Sequence, residues 1–326
     1  MKSTSSQRTD GVALLQVRPR MGQRGYGAML LKDLLRNRYV YLMAIPVIVF
    51  YITFYYVPMY GLVISFQRYS PGRGIAGSPW VGFQYFQQFF SSFYFVRLIR
   101  NTITISVLNL IWGFPAPIIL ALLLNEIRSG AFKRTVQSLT YLPHFISLVV
   151  VAGLILNFSA SRGFFNDLIA MAGGTRIAFF QDPRYFRPIY IASEIWQQAG
   201  WGSIIYLAAL SAIDPELYEA ATIDGAGRFR KLISITLPSI IPTIVVLLIL
   251  RMGQMMNVGF EKIILLYNPA IYETADVIAS FVYRKGLQEF AWSYATAVGL
   301  FNSVINLMLI VTANAISRRV NDTSLW

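Results

Sequence analysis

The chain has 326 residues, of which 56% are hydrophobic, 13% are charged and none is cysteine. A soluble domain averages about 25% charged residues. Here that share is halved and the apolar excess falls in long runs, which excludes a disordered chain, a disulfide scaffold and an ordinary soluble enzyme. The net charge is +13, from 28 Lys and Arg against 15 Asp and Glu. These basic residues lie between apolar runs rather than on one soluble face, so they point to membrane topology and away from nucleic acid.

Residues 1–38 read as a basic tail, with Lys2, Arg8, Arg18, Arg20, Arg24, Lys32, Arg36 and Arg38 against Asp10 and Asp33. Leu30, Leu31, Leu34 and Leu35 share one helical face, the pattern of a short helix lying in the membrane interface; residues 1–27 read equally well as a solvated tail. A cleaved signal peptide is not expected, because the basic region is too long and no small-residue cleavage site follows the apolar run. About 20 residues cross a ~30 Å hydrocarbon core, and six runs are long enough. They are Tyr39 to Phe66, Leu98 to Leu124, Leu139 to Leu156, Arg187 to Leu210, Ser239 to Phe260 and Ala291 to Ile316. Pro46 and Pro58 are expected to kink the first. Polar, aromatic-rich loops are expected at 67–95, 157–186 and 267–290.

Lys and Arg counts give the orientation. With the N-terminal tail inside, the inner segments add Arg128, Lys133, Arg134, Arg228, Arg230, Lys231, Arg318 and Arg319 to the eight of the tail, against ten on the outer segments. Both termini are therefore expected in the cytoplasm. No GxxxxGK[ST] run is present, so nucleotide binding of the Walker kind is excluded, and there is no HExxH. The single histidine, His144, stands beside Pro143 at a span entrance with no catalytic partner in view, and reads as a structural hydrogen-bonding residue.

Residues 211–238, SAIDPELYEAATIDGAGRFRKLISITLP, are polar and helix-favouring between two spans. Asp214 and Pro215 form an N-cap and first helical residue. Gly225 breaks the helix, and a second one leads to Pro238. Such a helix–turn–helix is either a docking knob or a loop without a partner.

Within it, Glu219, Ala220 and Ala221 are followed after three residues by Gly225, then after nine more by Ile235, Leu237 and Pro238. This resembles the EAA loop of permease subunits in binding-protein-dependent ABC importers. The runs LPHFIS, VGFQYF, IWQQAGWGSIIYLAAL, DPELYEAATIDGAGRFR and NVGFEKIILLYNP are similar to the carbohydrate-uptake branch, closest to permeases for polysaccharide or oligosaccharide. The resemblance covers residue 29 to the C-terminus. It implies an all-α membrane protein of the type I ABC importer permease fold, with six transmembrane helices and a cytoplasmic coupling helix. It also implies a multi-pass protein of a bacterial inner or plasma membrane, not itself an enzyme. Its partners would be a second, similar permease, two ATPase subunits that bind ATP and Mg, and an extracytoplasmic sugar-binding protein. Carried over by position, Glu219 would face the ATPase and Ala220 and Ala221 would allow close approach. Asp224 would brace the turn, Gly225 would supply the bend, and Ala226 would complete the motif.

Polar residues inside spans face protein or water, and three stripes occur at helical spacing. Thr102, Ser106, Asn109 and Gly113 fall within ~60° and read as helix packing. Thr296, Gly299, Ser303 and Asn306 fall within ~80°, and so do Arg251, Gln254 and Glu261, with Asn257 ~40° further round. The fifth-span stripe is expected to line a substrate pathway, because an intramembrane guanidinium is costly without a function or a partner. Glu194, Trp196, Gln197, Gln198 and Trp201 of the fourth span suit a sugar, or equally a belt at the outer interface. Glu194 and Arg251 fall at similar depth, ~10 and ~12 Å below the outer face, and are expected to pair. Two other classes stand beside the importer: an ion-coupled secondary transporter, which would need paired intramembrane carboxylates or inverted repeats, and a membrane scaffold without polar stripes.

Overall fold

The computed structural model of the chain describes residues 35–127 and 130–321. Most of the expected interfacial tail helix lies outside them. Among the described residues all regular structure is helical, apart from a single bridge between Gln67 and Trp80. The chain divides into two compact units, Met1–Gly61 and Leu62–Trp326. Four helices are long and apolar enough to cross a membrane: α1 (Arg38–Phe66), α3 (Phe93–Glu126), α9 (Arg228–Gly253) and α12 (Trp292–Asn321, apolar as far as Arg318). The short α2 (Gln84–Phe90) precedes α3. A fifth long helix, α7 (Pro183–Ser211), has 29 residues, about 43 Å at 1.5 Å per residue, but its polar side chains make it less apolar than the other four. These are the expected first, second, fourth, fifth and sixth spans.

Prolines leave a common mark on three of them. Residues 52–56, 109–113 and 232–236 each form a π turn, and each turn ends two residues before a proline: Pro58, Pro115 and Pro238. Proline cannot donate to the carbonyl four residues back and its ring crowds that carbonyl. The wider turn relieves the crowding without breaking the helix, so Pro58 acts through a π turn, where a simple kink is expected, and α3 and α9 run on through their prolines.

The third expected span is not one straight helix. Helix α4 (Gly130–Tyr141) and helix α5 (Leu148–Phe158) meet at 99°. Pro143 and the Ser147 N-cap, whose side chain accepts from the Val150 amide, set the corner. The expected loops are also more ordered than the sequence suggests. Residues 157–186 hold α6 (Phe164–Met171), and 267–290 hold α11 (Ile278–Tyr283), whose Ile278 and Phe281 are fully buried against Phe89, Leu98, Tyr294 and Val298.

Two devices fix the packing in the second unit. Gly200 of α7 passes so close to the end of α4 that a Cβ there would stand 1.9 Å from the carbonyl oxygen of Thr140. Asp276, 0% exposed, accepts from the Ser280 hydroxyl at 2.8 Å and pairs with Arg284 (2.7 Å) and Arg97 of α3 (3.3 Å). Asn101, also on α3, donates to the carbonyls of Glu273 and Asp276 and accepts from Arg187 of α7. Burial opposes the charge on Arg284, but the hydrogen bond and attraction to Asp276 outweigh it and hold its pKa above the usual value.

Two stability predictions follow from these contacts. Asp276→Ala leaves two guanidinium groups without their carboxylate and is expected to cost about 3–5 kcal/mol, read as a lower melting temperature of the detergent-solubilised protein. Gly200→Val drives a side chain into backbone, and is expected to lower the melting temperature and the yield of membrane-inserted chain.

Candidate functional site: a polar cavity and an exposed loop

Helix α9 ends at Gly253, and the chain resumes as α10 (Phe260–Leu266). The bend between them carries backbone groups that no helix satisfies. Asn306 of α12 accepts from the Met256 amide at 3.0 Å, and the Ser106 hydroxyl of α3 donates to the Met255 carbonyl. Asn302 and Asn306 both donate to the side chain of Asn257, at 3.0 and 3.2 Å. The break thus stands on two amide side chains of α12 and a hydroxyl of α3, the kind of support that irregular backbone at membrane depth needs.

Two adjoining cavities open between α3, α7 and α9. One, about 420 Å³, is lined by Asn109, Glu194, Gln198, Trp201, Tyr206 and Arg251 among others. The other, about 160 Å³, shares Asn109, Glu194 and Arg251 and adds Gln254, Asn257 and Tyr190. The π turn of α3 places Asn109 at their junction, with its Oδ1 buried and unpartnered. Gly113 faces that amide so closely that a Cβ would fall 2.2 Å from Asn109 Oδ1. In the wall, His144 stacks on Trp201 with ring centres 4.5 Å apart and planes 2° from parallel, and its Nδ1 lies 3.0 Å from Gln198 Oε1. The reading of His144 as a structural hydrogen-bonding residue agrees with this placement.

Glu194 is paired, but not with Arg251. Lys262 of α10, only 2% exposed, lies 3.1 Å from Glu194 Oε2 and 5.4 Å from the centre of the Tyr190 ring. The expected Glu194–Arg251 pair is therefore replaced by Glu194–Lys262: the helix break turns α10 back so that Lys262 meets the carboxylate first. Arg251 lines both cavities with no carboxylate of a described residue within 4.0 Å. It sits in the last turn of α9, where the helix carbonyls favour a cation by roughly 0.3–1 kcal/mol. That is less than the ~2.5–3.5 kcal/mol that insertion scales assign to a charge at mid-membrane.

The other expected pathway residues scatter. Gln254 lines the smaller cavity. Glu261 does not join it, because the break at 254–259 ends the helix on which its stripe was drawn; it is exposed elsewhere on α10. Trp196 lies in a separate apolar hollow with Val151, Phe158 and Phe164, and Gln197 is buried in the packing with its Oε1 unpartnered. In the sixth-span stripe, Thr296 is half-buried in packing, Ser303 is exposed and donates back to the Gly299 carbonyl, and Asn306 supports the helix break. None of the three lines either polar cavity. Thr102 bonds to the Ile278 amide, as expected of a packing residue; Ser106 bonds to the Met255 carbonyl and also lines the smaller cavity, and Asn109 and Gly113 line the larger one, so the packing reading of this stripe holds for its first residue and is corrected for the rest. Lys262 carries a site role that sequence reasoning missed. Its one signal was a lysine inside an otherwise apolar run, KIILL.

Residues 211–238 fold much as the sequence indicates. Helix α8 (Pro215–Ile223) starts at an Asp214 cap that accepts from the Glu216 amide at 2.9 Å. Asp224 closes it, and Gly225 turns the chain with φ +76°, a conformation that side chains resist. The second helix is not separate from the following span: it is the start of α9, which begins at Arg228 rather than near Ser239. The Tyr218 hydroxyl lies 2.9 Å from Thr236 Oγ1, and Lys231 Nζ donates to Thr222 Oγ1 at 2.6 Å, so α8 is tethered to the foot of α9. Glu219, Ala220 and Gly225 are exposed and Ala221 and Ala226 half-buried, while Ile223 and Phe229 present apolar side chains that are 87% and 74% exposed.

Comparison with known proteins agrees with this geometry. Over residues 113–322 the chain matches the family described as binding-protein-dependent transport system inner membrane component. It is 45% identical over 303 residues to Protein LplB of Bacillus subtilis (strain 168), covering 93% of this chain and 95% of that one. It is 45% identical over 298 residues to the polygalacturonan/rhamnogalacturonan transport system permease protein YteP of the same organism, covering 91% and 93%. Among solved structures it resembles a chain of a bacterial alginate ABC transporter in complex with alginate pentasaccharide-bound periplasmic protein, with 47% identity, a TM-score of 0.85, and coverage of 91% of this chain and 99% of that one. By the extent of the family match and the identity to these relatives, the chain belongs to the inner-membrane permeases of binding-protein-dependent transport systems.

Proposed function

We propose that the chain is the transmembrane subunit of an ATP-driven importer of oligosaccharide or polysaccharide and supplies half of its pathway. The observation that carries this reading is the cavity between α3, α7 and α9, walled by amides, a carboxylate, a guanidinium and an indole. Sugars are held by such a set, through hydroxyl hydrogen bonds and apolar ring faces. The relatives named for polygalacturonan/rhamnogalacturonan and for alginate support it. A second permease of similar fold would close the open side of the cavity. Two ATPase subunits would bind ATP and Mg and dock on α8, with Glu219, Ala220, Ala221, Asp224, Gly225 and Ala226 at or near the contact. An extracytoplasmic binding protein would deliver the sugar. The excess of Lys and Arg beside α8 and in the tail supports both termini lying in the cytoplasm.

Glu219→Lys reverses a charge at the docking patch, and Gly225→Pro forbids the positive φ of the bend. Each is expected to abolish stimulation of ATP hydrolysis by the binding protein while the chain still reaches the membrane; stimulation that survives both changes rejects the coupling assignment. Lys262→Met strands the Glu194 carboxylate, and is expected to reduce uptake of labelled oligosaccharide at least tenfold. Combining it with Glu194→Gln removes the stranded charge and is expected to recover stability, since replacing both members of a buried pair is far milder than removing one. A double variant that melts no higher than Lys262→Met argues against the pair.

A further inference from the structure

The corner between α4 and α5 does more than turn the chain. Pro143 is buried within it, and Gly200 brings the backbone of α7 hard against Thr140. Two aromatic side chains of the corner meet the Trp201 indole. His144 lies flat on it, with ring centres 4.5 Å apart, and Phe145 meets it nearly at right angles, at 5.5 Å and 85°. His144 Nδ1 also lies 3.0 Å from Gln198 Oε1. Gln198 and Trp201 stand three residues apart, on one face of α7, and both line the larger cavity. His144 and Phe145 line neither cavity. The corner therefore braces two cavity residues from outside the cavity.

The braced side chains are not held by burial, since Trp201 is 45% exposed and Gln198 is exposed. A loose indole has to be ordered when a ligand arrives, and that ordering lowers affinity, whereas a stacked one is ordered beforehand. Gln198 gains a direction as well. A glutamine amide has an accepting end and a donating end, and with the accepting end bonded to an imidazole N–H, only the donating end remains for a ligand. We propose that His144 is a positioning residue of the sugar site: its ring sets the plane of Trp201 against which a sugar ring stacks, and its Nδ1–H donates to Gln198 Oε1, turning the Gln198 amino group to the cavity. This rests on the reading of the cavity as a sugar site.

The test uses the detergent-solubilised complex purified through a tag on this chain, without added binding protein, and two variants that divide the two contacts. His144→Gln loses the ring and keeps a hydrogen-bonding group, while His144→Phe keeps a ring and loses the hydrogen bond. With 5-fluorotryptophan in place of tryptophan, the Trp201 fluorine resonance is the line missing from Trp201→Phe. His144→Gln is expected to shift and broaden that line before any ligand is added, and to weaken binding of tetragalacturonate about fivefold. His144→Phe is expected to keep the line sharp and to weaken binding less than about threefold. His144→Leu, also without a ring, should repeat the result of His144→Gln. Unchanged affinity in His144→Gln and His144→Leu overturns the inference, whatever the resonance does. Equal losses of affinity and of melting temperature in all three variants, with the Trp201 line still sharp, also overturn it, because His144 would then serve the corner alone. A wild-type complex that binds tetragalacturonate while the variants fail these expectations leaves the sugar reading standing. A wild-type complex that does not bind it rejects that reading and this one with it.

Discussion

A backbone that leaves its helix inside an apolar interior must find a partner for every amide and carbonyl it frees. In this chain that requirement falls on residues 254–259. Asn306 and Ser106 meet it from two other helices, and Asn302 steadies the side chain of Asn257. What the break provides is direction. It ends α9 with Arg251 at a cavity wall and sends α10 back so that Lys262 reaches Glu194. A straight helix through the same residues would carry Lys262 about 16 Å beyond Arg251 along the axis and away from Glu194. The asparagines of α12 therefore hold the wall of the cavity without lining it.

The same economy governs the other end of the unit. Asp276 gathers Arg97, Arg284 and Ser280, and Asn101 beside it reaches Arg187. Between helices in a membrane the hydrophobic effect gives little preference for one packing over another, because lipid is as apolar as leucine. Directional polar contacts and close approaches such as Gly200 against Thr140 supply the missing specificity.

What could be read from the sequence was what is encoded locally. The Asp214 cap, the Gly225 turn and most of the long apolar runs depend on neighbours in the chain, and they are found where the residues indicate, apart from the corner in the third run and the earlier start of the fifth. The stripes held only in part, with Arg251 and Gln254 at the cavities and Glu261 away from them, for a geometric reason. A polar face extrapolated at 100° per residue holds only while the helix keeps its pitch, and a π turn adds a residue to one turn and rotates all that follows. In α3 the π turn opens only at Asn109, so Ser106 before it and Asn109 within it still share the smaller cavity, while Thr102 serves packing. Glu261 was assigned to a helix that stops eight residues earlier. The Glu194–Arg251 pairing used depth alone, and depth does not register a chain that doubles back. The corner at Pro143 was hidden because the residues on both sides of it read as one apolar run.

The hydroxyl contact between Tyr218 and Thr236 gives α9 a mechanical character. Thr236 lies about a third of the way along this helix and Arg251 near its head, about 22 Å apart at 1.5 Å per residue. The helix is continuous between them, so it acts as a lever whose short arm is the loop. A tilt of about 10° about Thr236 would carry the guanidinium through about 4 Å, more than the reach of a hydrogen bond. Displacement of α8 by a few ångströms would thus be enough to grip or release whatever Arg251 holds, with no side chain changing its rotamer.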